Sequence, residues 1–135
     1  DANASSFGLE AVEKLALNAE QVFKTLIVRC DNNQLAVAIV PVQVKLNLKA
    51  MAKALRVKKV AMADAQRVEA STGYVLGGVS PLGQKKALPT VIDISAKAMS
   101  QIYVSGGRRG LEIALTPQDL AKLCRATFAV ITVTK

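Results

Sequence analysis

The sequence predicts an α+β fold, a single domain built around a mixed or largely antiparallel sheet flanked by helices. Short β-branched, apolar runs recur along the chain and are separated by turn signals or glycine-rich connections. These strand candidates outnumber the helical patterns, and they show no regular βαβ alternation. At 135 residues and 51% hydrophobic, the chain suits one domain over 1–135 with one core. With three Phe, two Tyr and no Trp, that core must be filled by Val, Leu, Ile and Ala.

The elements follow in order. Phe7 to Leu17 (FGLEAVEKLAL) puts Leu9, Val12, Leu15 and Ala16 on one helical face, with Ser5 or Ser6 as N-cap and Asn18 as a stop. Val22 to Cys30 and Gln34 to Val40 are strand-like, and Asp31-Asn32-Asn33 between them predicts a hairpin. A second helix is expected from Leu48 to about Arg56, capped by Asn47, with Leu48, Met51, Ala52 and Leu55 inward. Lys49, Lys53 and Arg56 occupy its opposite face. Further strand candidates are Lys59 to Met62, Tyr74 to Val79, Thr90 to Ile94, Gln101 to Val104, Leu111 to Leu115 and Phe128 to Val133. A last helix starts at Thr116 as N-cap, with Pro117 at its first position and Asp119 at its third.

Composition narrows the chemistry. A formal charge of +8, from 18 Lys and Arg against 10 Asp and Glu, favours a polyanionic partner such as nucleic acid or an anionic membrane surface. The chain contains no histidine. That removes Ser-His-Asp and Cys-His pairs, the commonest general base near neutral pH and most zinc sites, so neither a metal nor a cofactor is expected. Cys30 and Cys124 lie far apart in apolar stretches and form no CxxC, which reads as two buried free thiols in a reducing cytoplasm. The longest apolar runs fall short of a membrane span and no signal peptide is visible. The chain opens on Asp1 without an initiator Met, as a processed protein or an internal piece of a longer one would.

Two loops carry the candidate chemistry. Gly73 to Lys86 (GYVLGGVSPLGQKK) packs four glycines, a proline and a serine into one segment and ends on Lys85 and Lys86. Glycines let backbone N–H groups approach an oxyanion or phosphate, and Pro81 stiffens the turn that presents them. The same pattern also makes an ordinary structural turn, and it matches neither a Walker A loop nor GxGxxG. Ser105 to Gly110 (SGGRRG) is a second such loop, in which Arg108 and Arg109 suit phosphate contacts. Lys45, Lys49, Lys53, Arg56, Lys58 and Lys59 extend the basic surface. Lys24 differs in kind, because it interrupts an apolar strand (VFKTLIV). It either faces outward from a half-exposed strand or stands as a cation at the mouth of a pocket.

Three strings carry a resemblance: QVFKTLIV at 21–28, STGYVLGGVSPLGQKKALPTVID at 71–93 and IYVSGGRRGLEIAL at 102–115. They are similar to the YbaK-type Cys-tRNA(Pro) deacylases, of the superfamily of bacterial prolyl-tRNA synthetase editing domains. The resemblance covers nearly the whole chain. It implies a compact α+β domain with a barrel-like sheet, acting in trans in the cytoplasm on tRNA mischarged with cysteine. A companion prolyl-tRNA synthetase is an implied partner, and no membrane is.

By the same resemblance Lys24 engages the aminoacylated tRNA terminus. Gly77 and Gly78, with the neighbouring backbone of Val79, Ser80 and Pro81, hold the ester carbonyl, and Ser105 is a pocket serine. Glu112 stands where relatives often carry Asp. Lys45, Lys49, Lys53, Lys85, Lys86, Arg108 and Arg109 are left as tRNA contacts. The family mechanism, in which the substrate's own thiol attacks its ester, fits a chain without histidine. An N-terminal strand bearing a pocket tyrosine belongs to the family, and this chain begins after it. The remaining readings are an editing domain for another amino acid, such as Ala, or a non-catalytic tRNA-binding module.

Overall fold

The computed structural model describes residues 19–74, 78–108 and 111–133. The helix expected over 7–17 lies outside the described residues, as do Gly77 and Arg109. Among those described, strands β1 (Phe23–Cys30) and β2 (Leu35–Pro41) form the expected hairpin, with Lys24 opposite Val40 and Arg29 opposite Leu35. The turn is made by asparagines. Asn33 takes a left-handed φ of 71°, and the Asn32 side chain accepts from the Gln34 amide at 3.1 Å.

Helix α1 (Leu48–Leu55) follows, with the Asn47 side chain accepting from the Ala50 amide at 3.1 Å. Met51 and Ala52 are buried as expected, but Leu48 is 38% exposed because it sits in the first turn at the rim of the contact. Strand β3 (Val60–Met62) then pairs antiparallel with β1. Helix α2 (Ala65–Thr72) was not foreseen. It is bounded by Asp64, whose carboxylate accepts from the Arg67 amide at 2.9 Å, and by Gly73 at a left-handed φ of 83°.

After the loop through Pro89 come β4 (Thr90–Asp93), parallel to β2, and a short 3-10 turn over Ile94–Ala98. Strands β5 (Ile102–Ser105) and β6 (Glu112–Leu115) form a second hairpin. Helix α3 (Pro117–Cys124) starts at the Thr116 cap, and β7 (Thr127–Ala129) pairs parallel with β4. The last strand is shorter than the expected Phe128 to Val133. Beyond Ala129 the chain leaves β4 to bury Ile131 and to bridge Leu46 through Thr132.

The main sheet has the order β3-β1-β2-β4-β7. All seven residues of β2 are buried, since both of its faces are covered. On one face Ala36, Ala38, Val40, Val28 and Val91 meet Met51 and Ala52 of α1. The small alanines let the helix lie close. On the other face Phe23, Ile27, Val37, Ile39 and Ile92 meet Val68 of α2, Leu120 of α3, and Ile102 and Val104 of β5. The α+β class holds, but the barrel does not close among the described residues. The β5–β6 ribbon touches the main sheet through a parallel bridge between Val22 and Tyr103. Of the expected strand from Tyr74 to Val79, residues 75–77 lie outside those described; Tyr74, Gly78 and Val79 belong to no strand, and Val79 is buried against the second face.

Candidate active site

The Val22–Tyr103 bridge organises the site. Bridge partners point to the same side, and side chains alternate along a strand, so Lys24 and Ser105, two residues further along each strand, share that side. Ser105 pairs with Glu112 across the β5–β6 hairpin, which adds the carboxyl to the same group. Phe23, Ile102 and Val104 point the opposite way, into the core. Lys24 is thus aligned with Ser105 and Glu112 of a hairpin distant in sequence, across three neighbouring strands.

Lys24 is only 9% exposed, which overturns the reading of an outward-facing lysine. Its ammonium donates to the Val42 carbonyl at 3.4 Å. Burial holds its pKa below the ordinary lysine value, and the charge of nearby Lys45 lowers it further. Glu112 is half-buried, and loss of hydration pushes its carboxyl up to about 7. Ser105 accepts from the Gly107 amide at 3.1 Å, which leaves the hydroxyl its own proton to donate.

The glycine-rich loop is held from several sides. The Lys85 and Lys86 amides donate to the Thr72 and Ser71 carbonyls at 3.1 and 3.2 Å, so the end of α2 anchors the loop's basic end. Ser80 is buried, with its hydroxyl accepting from the Leu82 amide at 3.1 Å and its carbonyl from the Gln84 side chain at 2.9 Å. The Pro81 carbonyl accepts from the Cys124 thiol at 3.3 Å. Gly78, Val79, Ser80 and Pro81 are all buried. Gly77 and Arg109 lie outside the described residues.

Of the basic residues, Lys45, Lys49, Lys53, Lys85, Lys86 and Arg108 are all exposed. They are spread over the approach to α1 and its outer face, the loop after α2, and the β5–β6 turn. Burial raises the thiols of Cys30 and Cys124, with Asp31 adding to the effect at Cys30, so neither is an activated nucleophile. Among the described residues there is no cluster of metal-ligating side chains, and no helix is long and apolar enough to cross a membrane.

Two residues with structural roles were not singled out in the sequence. Tyr74 reaches both glycine-rich loops: its hydroxyl donates to the Leu82 carbonyl at 2.6 Å, and its ring lies against Gly107. Asp93 is 3% exposed, and its carboxylate accepts from the Ser95 amide and hydroxyl and from the Ile131 amide at 3.0 Å. It ties β4 to the chain beyond β7. A signal for Tyr74 was its place at the head of GYVLGG in a chain with few aromatics; none marked Asp93.

Comparison with known proteins bears on the fold and the family. The sequence model of the aminoacyl-tRNA editing domain matches residues 3–123. A protein of Enterococcus faecalis, EbsC, provisionally assigned as a Cys-tRNA(Pro)/Cys-tRNA(Cys) deacylase, is 41% identical over 120 residues, covering 89% of this chain and 73% of its own. An uncharacterised protein of Bacillus subtilis, YwhH, is 25% identical over 113 residues, covering 84% and 71%. Among solved structures, one described provisionally as a trans-editing enzyme for prolyl-tRNA synthetase superposes with a TM-score of 0.86 at 21% identity, covering 99% of this chain and 85% of that one. The fold and the extent of the sequence match converge: the chain belongs to the aminoacyl-tRNA editing domain family.

Proposed function

We propose that this chain is a trans-acting deacylase that frees tRNA(Pro) wrongly charged with cysteine. The observation that carries the reading is the alignment of a buried Lys24 with Ser105 and Glu112, in a chain with no histidine, within a family of aminoacyl-tRNA editing domains. The preference for cysteine is supported by the provisional assignment of the Enterococcus relative.

In this reading the nucleophile arrives with the substrate. The cysteine thiol passes its proton to solvent water and its sulfur attacks the ester carbonyl carbon, forming a C–S bond. The bond from that carbon to the ribose oxygen then breaks, and the oxygen takes up a proton. The products are uncharged tRNA and a cyclic thioester that water opens. Positioning an intramolecular attack can contribute about 7 kcal/mol or more of barrier reduction, which is compatible with a site that has no imidazole. Lys24 anchors the tRNA terminus through its positive charge, and backbone amides around Gly77 and Gly78 stabilise the developing oxyanion. Ser105 donates to the bound ester, while Glu112 borders the aminoacyl group. Lys45, Lys49, Lys53, Lys85, Lys86, Arg108 and Arg109 contact tRNA phosphates. The setting is cytoplasmic, with a prolyl-tRNA synthetase as the partner that delivers the mischarged tRNA.

The test is deacylation of Cys-tRNA(Pro), Cys-tRNA(Cys) and Ala-tRNA(Pro), with and without prolyl-tRNA synthetase. The wild-type chain is expected to clear the cysteinyl esters, leave alanine attached and lose its activity in Lys24→Ala. Equal hydrolysis of Ala-tRNA(Pro) would instead favour editing of another amino acid. Binding without hydrolysis of any ester would favour a tRNA-binding module.

A further inference from the structure

The two glycine-rich loops arise from distant parts of the chain, yet one side chain touches both. The Tyr74 hydroxyl donates to the Leu82 carbonyl at 2.6 Å, tying the end of α2 to the turn around Leu82. The same ring fills the space where two glycines lack a side chain. A Cβ on Gly107, whose φ is +106°, would lie 2.6 Å from the ring's Cε1, and a Cβ on Gly83, at φ +64°, would lie 3.2 Å from the phenol oxygen. Gly107 therefore requires glycine twice over, for backbone conformation and for the ring, while Gly83 is held to glycine chiefly by its left-handed φ. Tyr74 is itself fixed. It follows the Gly73 cap of α2 directly, and its amide donates to the Thr72 hydroxyl at 3.1 Å, which in turn donates to the Val68 carbonyl at 2.7 Å. Gly107 meanwhile donates its amide to Ser105, so the ring presses on the turn that orients that hydroxyl.

We propose that Tyr74 is the positioning residue of this site. It locks the turn around Leu82 to the loop after Ser105, so that these two walls, and the Ser105 hydroxyl on one of them, keep a fixed separation. The catalytic part rests on the deacylase reading above; the mechanical part does not. A donor lost from this link loosens two walls at once, and small misplacements of an oriented reaction cost rate rather than affinity.

Tyr74→Phe keeps the ring and removes only the hydrogen bond. Deacylation of Cys-tRNA(Pro) by this variant is expected to show kcat lowered about tenfold with KM little changed, the size of one lost neutral hydrogen bond. Amide hydrogen exchange is expected to quicken in residues 80–86 and in 106–108 together, with β1, β2 and β4 still protected. Gly107→Ala, which drives the ring away from the other side, should reproduce both effects. Exchange that quickens in one loop alone, or in neither, would overturn the lock, as would an unchanged kcat in an active enzyme. Coupled exchange with no wild-type deacylation would instead retain the lock and reject the deacylase reading.

Discussion

Lys24 is the residue whose chemistry depends most on where the fold puts it. Its ammonium is taken out of water and set near Lys45, so the folded protein holds that proton less tightly than the unfolded chain does. The unfolded chain binds more protons between the folded pKa and 10.5, so stability rises with pH across that window, and below it the burial cost is present in full. Lys24→Met should therefore stabilise the protein near neutral pH, by about 1 kcal/mol or about 4 °C in thermal unfolding, while abolishing deacylation. A variant that is both inactive and less stable would show that the lysine is structural. Glu112 behaves in the opposite sense. Its folded pKa, about 7, lies above the ordinary 4.5, so wild-type stability falls as pH rises between the two and then levels off. Glu112→Gln should remove that slope, and the difference in melting temperature between variant and wild type, followed from pH 4.5 to 8, should widen up to about pH 7 in the variant's favour. From the sequence, Lys24 was visible as an interruption of an apolar strand, but its burial was not. That depends on Val42 and Lys45 coming back past the start of β1.

At the scale of elements, the hairpin, α1 and α3 were legible because each carries local punctuation: asparagines at the β1–β2 turn, Asn47 before α1, and Thr116-Pro117 before α3. Helix α2 was not. Only Val68 and Thr72 of its eight residues are buried, too few to make an apolar stripe, although Asp64 and Gly73 mark its two ends. Its position is fixed from outside, by the Arg67 guanidinium donating to both the Asn33 side chain and carbonyl at 2.8 Å. Arg67→Ala should cost about 1 kcal/mol of stability, measured by urea unfolding, and should speed hydrogen exchange in α2 and in the 80–86 loop that its C-terminal carbonyls hold. The segment from Tyr74 to Val79 read as a strand for a related reason. Its two described anchors, Tyr74 and Val79, pack singly onto the second face and belong to no ladder.

Across the whole molecule, the alignment of Lys24, Ser105 and Glu112 is a product of topology. The first residues of β1 lean on the β5–β6 ribbon, which brings together positions 24, 105 and 112 of the chain. Neither spacing nor composition encodes that meeting; a family resemblance reached it only by position. The basic surface was legible from charge alone, and its consequence is measurable. Replacing both Lys49 and Lys53 by Ala should weaken tRNA binding and flatten the dependence of log K on log salt by about one unit per lysine, while single-turnover deacylation at saturating enzyme stays near wild type. The absence of histidine is the other global fact, and the proposed mechanism meets it with a nucleophile carried by the substrate. The most direct measurement compares Cys-tRNA(Pro) with Ser-tRNA(Pro), its hydroxyl counterpart, using the Cys30→Ser/Cys124→Ser chain so that no protein thiol remains. Rapid loss of cysteine with serine released only at the uncatalysed rate is the expected result. Equal hydrolysis of both esters, or loss of all activity in a folded double variant, would contradict it.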